Sequence, residues 1–480
     1  MIVTALVLGP ILIGLALYAL PKSAEAFARG AGIVVAMLAA LGVIVFPHAS
    51  DASVHWLSRP FDAAFHFGYG PFSYWIVLLL SLVTLSALTS LRVPRVRDFT
   101  AQMLVLLGAM DGVFLAKDLF LFALFWDLML LPVFLIMLGW GSPSHGPAGG
   151  RGTAAWRYLI YNLAGGLCLL LATAAFGVVH GSTDVIGDPH AGVAIGEVWG
   201  AWIFAGFAFA FLVKTPVFPF HTWMPDTYTE LPPPAVAVVA AVQSKAGLYG
   251  FIVIGLPFLG AQMHDAQLLM FVLGIAGLLY GAFAALAQTD VKRIVAYSSL
   301  SHLGLMVLGI FSFDPTALKG VLVYIIAHGL FNGALFLSLG YLEAREETRS
   351  LTRLGGLGAT NPRLAGALII AVLAGLGLPG LAGFAGELLI ISGLYHGGFV
   401  IPSLLALIPI VIAAAYMLRL YQTAMNGPQR LDLPQRKDLT WIEGLALVPL
   451  VAGLVLLGVN PAPLLTSNGT ETVSVVSSLR

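Results

Sequence analysis

Long apolar runs, each bounded by a charge or by a Pro/Gly cluster, follow one another along this chain. A bilayer-spanning helix needs about 20 apolar residues, and on that measure the pattern predicts about fourteen spans. They lie near residues 2–20, 30–47, 72–91, 99–115, 118–140, 156–180, 198–230, 234–258, 265–288, 292–312, 316–341, 364–396, 400–423 and 441–460. The seventh and twelfth runs are too long and too rich in Pro and Gly to be single straight helices. The first run carries Lys22 and Arg29 after its apolar stretch rather than before it, which reads as a retained span and not a signal peptide. The expectation is an all-α integral membrane protein with no soluble domain between its spans.

Composition closes off the alternatives. The 480 residues are 59% hydrophobic and 10% charged, with mean hydropathy +0.94, whereas a soluble chain carries roughly 25% charged residues. Lys plus Arg equals Asp plus Glu at 23 each, which excludes a polybasic nucleic-acid binder or an acidic-tail protein. Cys168 is the only cysteine, so the chain offers no disulfide framework and no ligand set for an iron–sulfur cluster or structural zinc. No glycine-rich nucleotide fingerprint occurs.

The basic residues test the span count. Lys22, Arg29, Arg92, Arg95, Arg97, Arg151, Arg157, Lys292, Arg293, Arg345, Arg349, Arg353, Arg363, Arg430, Arg436 and Lys437 follow odd-numbered spans, with Arg419 near a span end. The other side has only Arg59, Lys117, Lys319 and Arg480. Cytoplasmic loops are the Lys/Arg-rich ones, so the odd loops are expected in the cytoplasm and both termini outside, in a plasma membrane of bacterial type.

Lys214-Thr215-Pro216-Val217-Phe218-Pro219 interrupts the seventh run and Gly377-Leu378-Pro379-Gly380-Leu381-Ala382-Gly383 the twelfth. Proline removes a backbone donor and clashes with the preceding turn, so both helices should break. With spans 4–8 and 9–13 taken as two five-helix units, the break falls fourth in each. Five is odd, so the second unit enters the membrane upside down relative to the first. Inverted repeats with matched interrupted helices point to a transport site near the midplane; two ordinary proline kinks are the alternative. The expected segments are residues 1–98 (three helices), 99–258 and 265–423 (the two repeats) and 424–480 (last helix and tail).

Six ionisable residues sit inside apolar runs: Asp127, Lys214, Lys245, His302, His328 and Glu387. A central Asp or Lys costs about 2.5–3.5 kcal/mol to insert even on a lenient scale, so such groups usually pair or line a pathway. Lys245 lies at mid-span without a carboxylate neighbour in sequence. Keeping that ammonium charged is costly, which makes it a candidate proton carrier. Lys214 ends a half-helix, where a cation meets the negative end of the dipole, and Glu387 lies toward the start of one, where an anion is favoured. Asp127 is the one carboxylate inside its apolar run; with Lys214 it forms either a pair whose loosening releases a proton or a static salt bridge. His302 and His328 fit a proton relay and equally a core histidine bonded to a helix carbonyl. Asp111 is a seventh candidate, with helix packing an equal reading. Tyr249, Tyr297 and Ser298 fit water ordering or packing alike, and an interfacial turn accounts for His221 and Asp226.

At these residues the chain resembles the antiporter-like membrane subunits of proton-pumping NADH:quinone oxidoreductase, respiratory complex I. AFLVKTPVFPFHTWMPD (210–226), VAYSSLSHLG (295–304) and LPGLAGFAGELL (378–389) look like that family's motifs, which multi-subunit cation/proton antiporters and membrane-bound hydrogenases share. Glu387 resembles the M-type chain (mitochondrial subunit 4 type), where L- and N-type chains usually carry Lys, and the short stretch after the last span leaves no room for an L-type lateral helix. The resemblance implies that Asp127 stands where the family usually has Glu, that Lys214 is its paired lysine and Lys245 the central one, that His302 and His328 connect, and that Glu387 is the exit-side acid. Asp is one methylene shorter, which puts direct contact with Lys214 in doubt, though a water bridges such gaps. The stretch TELPPPAVAVVAAVQSK (229–245) departs from the commoner family sequence, with Lys245 and Gly247 kept in place.

The function implied is proton translocation within a redox-driven complex. The chain itself is expected to hold no cofactor or metal, with flavin, iron–sulfur clusters and quinone in partner subunits. The expected partners are other antiporter-like membrane subunits, a peripheral redox arm and the lipid bilayer, and no nucleic acid. The rival readings are a subunit of a cation/proton antiporter or hydrogenase-type complex, and a helical scaffold with its charges frozen in static pairs.

Overall fold

The computed structural model of the chain describes residues 1–70, 72–142, 150–186, 196–426 and 437–466. Arg430, Arg436 and Arg480, used above to orient the chain, lie outside the described residues, as does the tail beyond 466.

The molecule is a helical bundle. It begins with α1 (Ile2–Leu17), α2 (Glu25–Val45), α3 (Ser73–Thr89) and α4 (Val96–Leu115). A small antiparallel hairpin, β1 (Ala52–Leu57) and β2 (Ala63–Phe67), fills the loop between α2 and α3. The predicted fifth span is two collinear pieces, α5 (Leu119–Leu128) and α6 (Leu130–Trp140), jogged at Met129. Pro132 explains the jog, because it has no N–H for the carbonyl four residues back. After α7 (Arg151–His180), the seventh run breaks as the prolines require into α8 (Glu197–Lys214) and α9 (Trp223–Glu230).

The next span is the least regular. It comprises α10 (Pro233–Ala241), a 3-10 turn at Gln243–Lys245, α11 (Ala246–Gly250), a π turn at Phe251–Gly255 and α12 (Leu256–Phe258). A short α13 (Gly260–Asp265) leads to α14 (Gln267–Ala287), α15 (Val291–Phe311) and the 32-residue α16 (Pro315–Glu346). A small turn of helix, α17 (Leu357–Thr360), precedes the twelfth run, which breaks into α18 (Pro362–Gly375) and α19 (Ala382–His396). Then come α20 (Val400–Tyr421), α21 (Trp441–Val459) and α22 (Ala462–Thr466). Among the described residues, 11 helices are long and apolar enough to cross a membrane, and Ile2–Leu17, Ser73–Thr89 and Pro362–Gly375 are shorter apolar ones.

Aspartates set where several helices begin. Asp118, Asp290 and Asp314 each accept two backbone N–H groups at the head of α5, α15 and α16, satisfying donors that a helix start leaves open. Asp118 also takes Ala64 N and the Thr183 hydroxyl, so one carboxylate ties α5, the hairpin and the turn after α7 together. Burial sorts the helices by role. The apolar windows of α10–α12 and α16 are 100% buried within the molecule, that of α15 94% and that of α21 only 28%, so the helices bearing Lys245, His302 and His328 are those shielded from lipid.

Two features outside the apolar spans give testable consequences. Glu443, in the capping box that starts α21, pairs with buried Arg345 of α16 at 2.7 Å and with Arg92 at 3.2 Å. Removing one partner of a buried pair costs about 3–5 kcal/mol, so Glu443→Ala should lower the thermal unfolding midpoint of the detergent-solubilised protein clearly, and an unchanged midpoint would show that the clamp is idle. On the hairpin, His66 Nδ1 lies 2.7 Å from Asp184 Oδ1, with Asp51 at 3.4 Å from Nε2. The hydrogen bond to Asp184, then the two acidic charges, outweigh half-burial and raise the imidazole above its usual 6.5. A raised base stabilises the folded form fully below 6.5, and this contribution is lost as pH climbs through the folded value. Amide exchange in residues 52–67, corrected for its intrinsic rate, should therefore speed up across that window and lose its pH dependence in His66→Gln.

Candidate functional site: a buried file of ionisable side chains

Of the six sequence-predicted residues, five fall in two groups flanking the sixth, Lys245. The first is at the head of the break in the seventh run. Lys214 is the last residue of α8 and is 1% exposed. Its ammonium sits over the Trp126 ring, 4.9 Å from the centroid, a cation–π arrangement. Beyond it Trp223, from the second half of the broken helix, donates its indole N–H to the Val213 carbonyl at 3.0 Å. The break therefore does not leave that carbonyl orphaned, as an apolar interior demands.

Asp127 is half-buried on α5 and acts electrostatically on Lys214. Among the described residues no ion pair joins the two, and Asp127 Oδ1 and Lys214 Nζ have no hydrogen-bond partner. The static salt bridge, one of the two sequence readings, is absent, in line with the shorter Asp side chain. The carboxylate instead lies in the groove against Gly166 of α7, where any Cβ would collide with it.

Lys245 closes the 3-10 turn and is 0% exposed. Its ammonium donates to the Ala240 carbonyl at 2.5 Å and to the Ser244 hydroxyl at 3.2 Å, both on its own helix. Regular i→i−4 bonding gives way here to the 3-10 turn and, one turn later, to the π turn, a distortion found at hinges and functional sites. The preceding residue pair is polar as well: Gln243 donates to the Tyr158 hydroxyl at 2.8 Å.

The second group runs from Lys245 to the break in the twelfth run. Both His302 on α15 and His328 on α16 feel the Lys245 charge, and their rings are 5.5 Å apart. His302 Nδ1 is hydrogen-bonded to the Tyr324 hydroxyl, which donates to Glu387 Oε1 at 2.5 Å. The other ring nitrogen, Nε2, meets the Ser298 hydroxyl at 3.1 Å, and Ser298 meets the Tyr416 hydroxyl at 2.9 Å. His328 is held by Asn332, whose amide nitrogen is 3.1 Å from Nδ1 and also donates to Ser299. Among the described residues, neither histidine takes the alternative sequence reading of a ring bonded to a helix carbonyl. Glu387 is 5% exposed, and its carboxylate folds back against Gly377, which has φ +74° in the break. Gly386 lets α19 close onto the α16 backbone at Tyr324, which brings hydroxyl and carboxylate together.

Sequence reasoning missed Tyr324, Asn332, Tyr416 and Trp126. Tyr324, His328 and Asn332 recur every fourth residue and so share one face of α16; that periodicity was the available signal. Of the other candidates, Asp226 is clamped between Arg157 and Arg293, a structural tie beside the first break, and Tyr249 donates to the Phe114 carbonyl at 3.0 Å. At the odd-loop end a cavity of about 320 Å³ is lined by Glu230, Lys292, Glu343 and the prolines at the head of α10.

Apolar helices packed around a buried ionisable file, two of them interrupted beside it, define a polytopic membrane protein with the architecture of a secondary transporter. The chain belongs to the NADH:quinone oxidoreductase/Mrp antiporter transmembrane family, which it matches over residues 116–413, and is a multi-pass integral membrane protein. NADH-quinone oxidoreductase subunit M of Pseudomonas aeruginosa is 37% identical over 426 residues, 86% of this chain and 82% of that protein. A chain of respiratory complex I from Thermus thermophilus with bound NADH superimposes with TM-score 0.89 at 30% identity, covering 100% of both chains. A chain of the Mrp complex from Dietzia sp. does so with TM-score 0.87 at 21% identity, over 99% of this chain and 97% of that one; that likeness is one of fold.

The groove at Gly166 can be tested directly. Gly166→Ala should drive the Asp127 carboxylate out of its groove into another rotamer, visible in an experimental density map. An unmoved Asp127 beside the new methyl group would contradict the packing described.

Proposed function

We propose that this chain is a proton-translocating membrane-arm subunit of a redox-driven NADH:quinone oxidoreductase complex. The observation that carries the reading is the buried run from Lys245 past His302 and His328 to Tyr324 and Glu387, in a chain of this family. Protons pass along Asp127–Lys214–Lys245–His302/His328–Glu387, with Tyr324 as the hydroxyl between His302 and Glu387. Hydration closes the gap at Asp127–Lys214, where the side chains do not touch. Each helix break supplies loosened backbone beside a charge, which the two inverted five-helix repeats, spans 4–8 and 9–13, explain.

The M-type assignment (mitochondrial subunit 4 type) is supported by Glu387 and by the naming of the Pseudomonas relative as subunit M. Flavin, iron–sulfur clusters and quinone belong to partner subunits, and other antiporter-like chains flank this one in the membrane. The odd-numbered loops face the cytoplasm and both termini lie outside, which the segregation of Lys and Arg supports.

Lys245→Ala should leave the complex assembled and remove this subunit's proton transfer, measured by dye quenching in vesicles energised with NADH. Full pumping in that variant would sink the role given to Lys245. Tyr324→Phe deletes one oxygen and should slow transfer at the His302–Glu387 step while electron flow to an uncoupled acceptor stays normal. Sodium-dependent proton exchange with no electron donor present would instead move the chain to the antiporter reading.

A further inference from the structure

Asp111 is the buried carboxylate that the file above does not use. It lies on α4 one turn before the helix end, is 0% exposed, and neither oxygen has a hydrogen-bond partner among the described residues. Isolated carboxylates in an apolar interior are not kept ionised without a partner, and buried polar groups left unsatisfied call for an explanation.

Its surroundings supply one. The Tyr69 hydroxyl, also buried and without a partner among the described residues, is close enough to feel the Asp111 charge. The next residue, Gly70, lies against the Tyr249 hydroxyl, which a Cβ at Gly70 would meet at 3.3 Å. That hydroxyl donates to the carbonyl of Phe114, and residues 111 and 114 share a face of α4. Tyr249 in turn lies one turn beyond Lys245 on the same irregular helix. The cluster Asp111–Tyr69–Tyr249 therefore joins the Lys245 turn to the end of the bundle where Phe67 bridges Ala116 and the hairpin packs.

We propose that Asp111 is a proton-binding site that receives a proton from Lys245 past the Tyr249 hydroxyl and releases it past Tyr69 at the hairpin face. This rests on the functional reading of Lys245 given above. Asp111 rests as the neutral acid and first gives up its proton past Tyr69; the carboxylate so formed then takes one from the Lys245 ammonium, one N–H bond breaking and one O–H bond forming, which leaves an amine and a carboxylic acid, both neutral. Two buried charges become none, which a low-dielectric interior favours. The proton released past Tyr69 does not pass through Glu387, so the site is a branch and not a link of the main file.

The test uses the assembled complex in vesicles, with NADH oxidation and proton uptake recorded together for Asp111→Asn, Tyr69→Phe and Lys245→Ala. Asp111→Asn keeps the side-chain size and cannot carry the proton. It should lower the protons moved per electron while leaving NADH oxidation by uncoupled vesicles normal, and should abolish a protonated-carboxyl band from the infrared difference spectrum of the turning-over complex. Tyr69→Phe, which retains the ring, should lower the ratio in the same direction, and it decides the matter where Asp111→Asn fails to assemble. Wild-type ratios in Tyr69→Phe and in any Asp111→Asn complex that assembles, with the infrared band unchanged, would make Asp111 a static packing group and overturn the proposal. Lys245→Ala separates the two claims: if it loses pumping while Asp111→Asn does not, only the branch falls, and if it pumps normally the functional reading falls as well.

Discussion

Everything at the centre of this protein is arranged around one amine that has no carboxylate to balance it. Lys245 is fully buried and is held by a carbonyl and a hydroxyl from its own helix. An ammonium in that setting is tolerated only where the surroundings are shielded from lipid and polar enough to solvate it. The helix that carries it abandons regular bonding on both sides of the lysine, and its apolar window, like that of the neighbouring α16, is 100% buried. His302 and His328, with Tyr324 and Asn332 bonded to them, form the polar surroundings that such a group requires.

The two breaks answer to a second constraint, that no backbone polar group can be abandoned in hydrocarbon. Each break is closed by its own neighbours: the Trp223 indole serves the carbonyl of Val213, and Leu378 N reaches back to Leu373 O. Each also holds a charge of opposite sign to the helix end beside it, Lys214 at a C-terminus and Glu387 near an N-terminus. What differs is connection. Glu387 is tied by one hydroxyl to His302, whereas Lys214 rests on an aromatic face with its carboxylate out of reach.

Much of this was legible in the amino-acid pattern, because membrane spans are long and the cost of charge within them is large. The prolines of 214–219 and the glycines of 377–383 place both interruptions, and all six ionisable groups are conspicuous against their apolar runs. The hairpin at 52–67 was not visible, since its strands are short and sit among Pro, Ser and Asp in a loop. Tyr324 and Asn332 were passed over because Tyr and Asn raise no alarm in an apolar helix, and only their spacing from His328 marks them. Whether Asp127 meets Lys214 depends on a single methylene and on Gly166 across the groove, a question of packing that no residue pattern answers.

The long α16 carries a mechanical implication. At about 1.5 Å per residue its 32 residues rise about 48 Å, well beyond the roughly 30 Å hydrocarbon slab. Its start is fixed by the Asp314 cap and its far end by the Arg345–Glu443 pair, and its apolar middle is fully buried within protein. Its tilt is thus set by internal packing, and that middle stretch presents no lipid-facing surface through which a thinner or thicker bilayer could act on it. Hydrophobic mismatch falls on outer helices such as α2 and α21, so the spacing of Tyr324, His328 and Asn332 is insulated from changes in lipid composition.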